Sequence, residues 1–125
     1  GFGLSYTRFA YSSLKLSHTR ISDKDSFTAS IELTNVGDRE GTEVVQLYIR
    51  DIYSSATRPV KELKDFARVT LKPGEKKTVT FTVTPDKLAY WNRNMQYGVE
   101  KGEFEIMIGS SSQDKDLKKV KMEVL

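Results

Sequence analysis

Glu103 and Glu105 stand two residues apart in Gly102-Glu103-Phe104-Glu105-Ile106, a spacing that in an extended chain puts both side chains on one face roughly 7 Å apart. Two carboxylates so placed superficially suit the pair that cleaves a glycosidic bond. That chemistry needs one carboxyl desolvated so that its pKa rises. The alternation with Phe104, Ile106 and Ile108 instead assigns both glutamates to the polar side of a half-exposed strand, so a solvated pair is expected. Asp23 with Asp25, and Asp114 with Asp116, offer oxygens of the kind calcium takes, without the further donors that a calcium loop supplies in sequence. Both pairs read as turn formers. Ser110, Ser111 and Ser112 lack the strand-to-helix turn that exposes a nucleophile, and His18 is the one histidine available as a base. Gly1-Phe2-Gly3 is not a phosphate loop, because no strand precedes it and no helix follows. With no cysteine there is no thiolate nucleophile, thiolate metal site or disulfide. The reading assigns no catalytic residue, no metal ligand and no cofactor.

Tyr53, Tyr90, Trp91 and Tyr97 are the residue types that build a flat platform for sugar rings. The competing assignment has Tyr90 and Trp91 filling the end of a core with their polar atoms at its edge. Basic residues in 115–121 alternate with Val120 and Met122, which places them on the wet side of a terminal strand and argues against a nucleic-acid contact. A net charge of +3 from 20 basic and 17 acidic residues gives little pull on a polyanion.

The elements that must position these residues are strands. Phe27, Ala29, Ile31 and Leu33 alternate with polar residues, as do Val45, Leu47 and Ile49 after the turn at Asn35-Val36-Gly37-Asp38. Gln46 and Tyr48 take the opposite face. A loop over 51–60 carries Tyr53, Arg58 and Pro59 and is the natural place to look for function. Leu63, Phe66, Val69 and Leu71 break step near Asp65, as a bulge would require. Lys72-Pro73-Gly74-Glu75 is a turn, and 78–84 alternates threonine with Val79, Phe81 and Val83. Pro85 ends that strand, 86–88 fit one helical turn, and 88–91 resume extended structure. Two more strands follow, the last carrying Val120, Met122 and Val124, and 9–16 is a further candidate at the front. Roughly seven antiparallel strands, frequent turn signals and no amphipathic helix indicate an all-β, immunoglobulin-like sandwich in two sheets. The 125 residues suit one domain. No apolar run reaches membrane-spanning length, and the start lacks an initiator Met, a basic region and an apolar core of a leader. It reads as the cut end of a fragment. Without the Cys, Trp, Cys spacing of antibody domains, the fibronectin type III branch is preferred.

The motifs then resemble one family along nearly the whole chain. They are Gly1-Phe2-Gly3-Leu4-Ser5-Tyr6-Thr7, Asn35-Val36-Gly37-Asp38-Arg39-Glu40-Gly41, Glu43-Val44-Val45-Gln46-Leu47-Tyr48-Ile49-Arg50-Asp51, Arg58-Pro59-Val60-Lys61-Glu62-Leu63, Leu71-Lys72-Pro73-Gly74-Glu75 and Gly102-Glu103-Phe104-Glu105-Ile106-Met107-Ile108-Gly109-Ser110-Ser111-Ser112. Together they resemble the C-terminal fibronectin type III-like domain of family 3 glycoside hydrolases, the β-glucosidases and β-xylosidases. The resemblance implies that 1–125 is a single such domain and that 1–7 is the tail of a segment arriving from an upstream catalytic domain. It implies a parent that hydrolyses terminal β-linked sugars, with its nucleophile and acid/base residue outside this chain and a periplasmic or extracellular location. The partner it implies is the set of catalytic domains of the same parent. Phe2, Leu4 and Tyr6 are candidate docking anchors because a solvated linker would not need them, and Arg58 beside Pro59 could pair with a carboxylate on the catalytic domain. A local pair with Asp51 is the alternative for Arg58. An autonomous carbohydrate-binding or adhesion module, taking oligosaccharide on the loop aromatics, is the alternative function.

Overall fold

The computed structural model describes residues 7–52, 61–91, 97–99 and 101–125. Among them seven strands of eight residues or more carry the fold: β1 (Phe9–Leu16), β3 (Phe27–Asn35), β4 (Gly41–Asp51), β5 (Glu62–Leu71), β6 (Lys76–Val83), β9 (Gly102–Gly109) and β10 (Leu117–Val124). Three two-residue strands, β2 (Arg20–Ile21), β7 (Tyr90–Trp91) and β8 (Tyr97–Gly98), one helical turn, α1 (Pro85–Leu88), and a 3-10 turn at Asp114–Asp116 complete it. One sheet runs β1-β3-β6; the other runs β2-β10-β9-β4-β5. Along the long strands the chain changes sheets between β3 and β4, between β5 and β6 and again between β6 and β9, as a sandwich built on one core requires. The long strands pair antiparallel, whereas β2 joins β10 in parallel through Arg20 and Ile21.

The period-two pattern delivers the core directly. Phe27, Ala29, Ile31 and Leu33 of β3 face Val45, Leu47 and Ile49 of β4, with Phe104, Ile106 and Ile108 of β9 in the same cluster. Val79, Phe81 and Val83 of β6 are buried beside them. The expected sandwich of about seven main strands is therefore the fold.

Two bulges shift which residues face inward. In β1 the register slips between Ser12 and Lys15, and Ser13 sits at φ 59°, in the left-handed region. The extra residue switches the inward set from Phe9 and Tyr11 to Leu14 and Leu16, all packed against the core. In β5 Asp65 pairs with Leu47 and Leu63 with Tyr48, so Lys64 is the bulged residue, where the sequence pattern had broken step. Its consequence is that Leu63 and Phe66 lie on the same outer side, while Val69 and Leu71 turn inward. The ammonium of Lys87 on α1 donates to Asp65 Oδ2 at 3.0 Å and to the Thr82 carbonyl at 2.6 Å, tying the bulged region to β6.

The turn between β5 and β6 has Pro73 followed by Gly74 at φ 81°, the pairing a type II turn demands. It is bound to the turn after β3 by one residue. Fully buried Asn35 donates from Nδ2 to the carbonyls of Arg39 (2.8 Å) and Leu71 (2.9 Å), and its Oδ1 accepts from the Gly37 amide at 2.9 Å. Its backbone also exchanges bonds with Glu75 and Gly74.

Candidate functional site

The two sheets present unlike outer faces. On the three-stranded sheet Thr28 lies opposite Thr82, Ser30 opposite Thr80 and Glu32 opposite Thr78; these are short hydroxyls and charges that water solvates well. The five-stranded sheet is different. Register places Leu63, Tyr48 and Met107 in one row across β5, β4 and β9, and Phe66, Gln46, Gly109 and Leu117 in the next across β5, β4, β9 and β10. Tyr48, Met107 and Leu117 bury one another in a small cluster separate from the main core. Tyr48 Oη donates to Gln46 Oε1 at 2.5 Å, and Gln46 Nε2 donates to the Ser110 carbonyl at 3.0 Å. Leu63 and Phe66, at 50% and 58% exposure, extend this apolar band into solvent on the edge strand.

The same face holds the glutamates singled out by spacing. Glu105 is buried rather than solvated, which corrects the expectation for it, and the cause is Arg50. That guanidinium lies opposite it across the β4–β9 pair and meets Glu105 Oε1 at 2.5 Å. Burial here comes with a charge partner, so Glu105 is a structural carboxylate. Glu103 is half-buried and lies opposite Glu123, which pairs with Arg20 at 3.4 Å. Glu105 is thus held by Arg50, and Glu103 lies beside the Glu123–Arg20 pair, so the nearest partners of both are charges borne on strands.

A cleft of about 380 Å³ opens where β1 meets β10, lined by Tyr11, Glu43, Ser110, Lys115 and Asp116 among others. The hydroxyl of Tyr11 is buried there without a hydrogen-bond partner at bonding geometry. Burial comes first, then the charge of the nearby Glu43 carboxylate and its hold on the phenol proton from just beyond bonding geometry, then Asp116; together they push its ionisation well above the ordinary tyrosine range. Asp116 accepts from Ser111 Oγ at 2.7 Å, and Asp25 accepts from the Ser22 amide at 3.0 Å, so these aspartates form turns as their spacing implied. The neighbours Ser17 and His18, not paired in the sequence reading, come within 3.1 Å at Oγ and Nδ1. Both are exposed, and Ser17 Oγ accepts from the Thr28 amide, which makes the contact a strand-end detail.

Of the residues proposed from sequence, Phe2, Leu4, Tyr6, Tyr53 and Arg58 lie outside the described residues. The ribbon of β7 and β8 brings Trp91 opposite Tyr97 and Tyr90 opposite Gly98. The apolar band at Leu63 and Phe66 was missed as a site. Its signal was present in the parity of 66 against 69 and 71, but it needed the bulge to be placed at Lys64.

Two sheets closed over one core, with a band of apolar residues on the outer side of the larger sheet, define a β-sandwich module. Residues 43–112 match the fibronectin type III-like domain, and the chain belongs to that family. It is 47% identical over 112 residues to a periplasmic β-glucosidase of Salmonella typhimurium, covering 90% of this chain and 15% of that protein. It is 49% identical over 124 residues to a β-xylosidase of Formosa agariphila, covering 99% of this chain and 17% of the relative. Among solved structures, a β-glucosidase from Erythrobacter marinus superposes with a TM-score of 0.88 at 39% identity, over 98% of this chain and 16% of that one. A Listeria innocua β-glucosidase in complex with glucose gives 0.81 at 34% identity, over 96% and 16%. The chain thus matches a small part of much longer glycoside-cleaving relatives.

Proposed function

We propose that this chain is a non-catalytic accessory domain of a β-glycosidase, packing on and stabilising the catalytic domains of a parent that hydrolyses terminal β-linked sugars. The observation that carries the reading is the asymmetry of coverage: nearly all of this chain aligns with 15% to 17% of each of two glycosidase relatives. In that reading 1–125 is one domain, and 1–7 is the tail of a segment arriving from the catalytic region. Phe2, Leu4 and Tyr6 then continue the docking contact, with Arg58 as a directional anchor. The pairing of Glu105 with Arg50 across β4 and β9 gives that carboxylate a structural use, which is in keeping with the reading. A parent exported to the periplasm or beyond fits the name of the Salmonella relative.

The second reading, a sugar-binding module, draws on the register that sets Trp91 opposite Tyr97. Affinity electrophoresis of the chain through gels containing cellulose derivatives, xylan or xyloglucan separates the two, with Trp91→Ala alongside. The accessory reading expects free migration in every gel and no hydrolysis of aryl β-glucosides or β-xylosides by the chain alone. Retardation that disappears in Trp91→Ala would transfer the function to the aromatic ribbon, and hydrolysis by the chain alone would end the non-catalytic reading.

A further inference from the structure

The outer face of the five-stranded sheet carries what no isolated sandwich needs. Leu63 and Phe66 stand half or more exposed on the edge strand, and the bulge at Lys64 is what places both on one side. Without that extra residue their odd spacing would send one of them to the core side. Edge strands of isolated domains are ordinarily protected by charge or cover, because exposed apolar edges invite association. Here the apolar side chains are instead continued inward by Tyr48, Met107 and Leu117, themselves buried against one another. The band thus runs across four strands. The opposite sheet offers threonine and serine in the equivalent rows, so the two faces are not interchangeable.

We infer that this face, centred on Phe66, Leu63 and Tyr48, is the surface by which the chain docks on the rest of its parent polypeptide. The inference rests on the accessory-domain reading and adds the face to it. The occupant follows from length: more than four-fifths of each relative compared above lies outside the aligned part. A cover supplied by the same polypeptide also needs no encounter in solution and holds its effective concentration high. The apolar band is edged by exposed Arg68, opposite Val44 on the same side, so the partner surface should be apolar at its centre with acidic groups at that rim.

Hydroxyl-radical footprinting of the parent enzyme and of this chain alone reads the side chains directly. Phe66 and Leu63 should be oxidised severalfold more slowly in the parent than in the free chain, while His18, exposed away from the docking rows, should react equally in both. In parallel, Phe66→Asp with Leu63→Asp in the parent should split or lower its melting transition, and Thr80→Asp on the opposite sheet should not. Equal oxidation of Phe66 in both proteins, with melting untouched by the double substitution but lowered by Thr80→Asp, would overturn the face and leave the accessory reading standing. A parent whose melting is indifferent to removal of the whole chain would overturn both. Protection of Phe66 in the free chain that rises with its concentration would assign the face to a second copy instead, and so overturn the proposal.

Discussion

Tyr11 shows how one buried atom sets a property of the whole chain. Its hydroxyl lies in the cleft between β1 and β10 without a bonded partner, near Glu43 and Asp116. The fold therefore favours the neutral phenol, and its ionisation is raised relative to the unfolded chain. A group whose folded-state pKa is raised contributes fully below its unfolded value, about 10 for tyrosine, and loses that contribution as pH climbs past it. Urea unfolding should show the native chain losing stability above that point, with Tyr11→Phe losing less. Parallel alkaline decline in both proteins would show that Tyr11 does not carry the effect. Glu105 makes the complementary point. Spacing placed it on the outer side correctly, but its burial depended on Arg50, which is 55 residues away in sequence and joins it only through strand register. A pairing of that kind has no local signal.

At the scale of elements, much of the fold was legible because strands write their faces as alternation. β3, β6 and β9 follow their patterns, and Pro73-Gly74 announces its turn through chemistry that only that pair satisfies. The strands with bulges were partly legible. In β5 the break in step located the bulge near Asp65, yet which residues it exposed required the register against β4. The parallel addition of β2 to β10 was not legible, since two residues carry no period. Asn35 belongs to this scale because one amide binds two turns and the end of β5. The sequence marked it as turn chemistry; its burial shows it also as a joint between the sheets. Asn35→Asp would keep the shape and remove the donor, leaving the Arg39 and Leu71 carbonyls facing a buried carboxylate. We expect a loss of about 3–5 kcal/mol in denaturant unfolding, and a loss within the range of an ordinary surface change would refute the joint.

For the molecule as a whole, the family was legible through the motifs, whereas the apolar band was not legible at all. Composition and spacing single out no set of residues for catalysis, and Glu105, the carboxylate that spacing brought forward, is paired with Arg50. What distinguishes the chain is a difference between its two outer faces, one hydroxylated and one crossed by an apolar band, and such a difference appears only once register is known. The two sheets enclose one continuous core cluster, so the domain should melt cooperatively by itself. In the accessory role proposed above, packing against a larger body adds stability that the free domain lacks. The most direct test is differential scanning calorimetry of this chain alone beside the parent enzyme containing it. The account predicts that the chain melts at a clearly lower temperature when free than within the parent, where its unfolding merges with that of the catalytic domains. Identical transitions for the free chain and for the chain in its parent would contradict it.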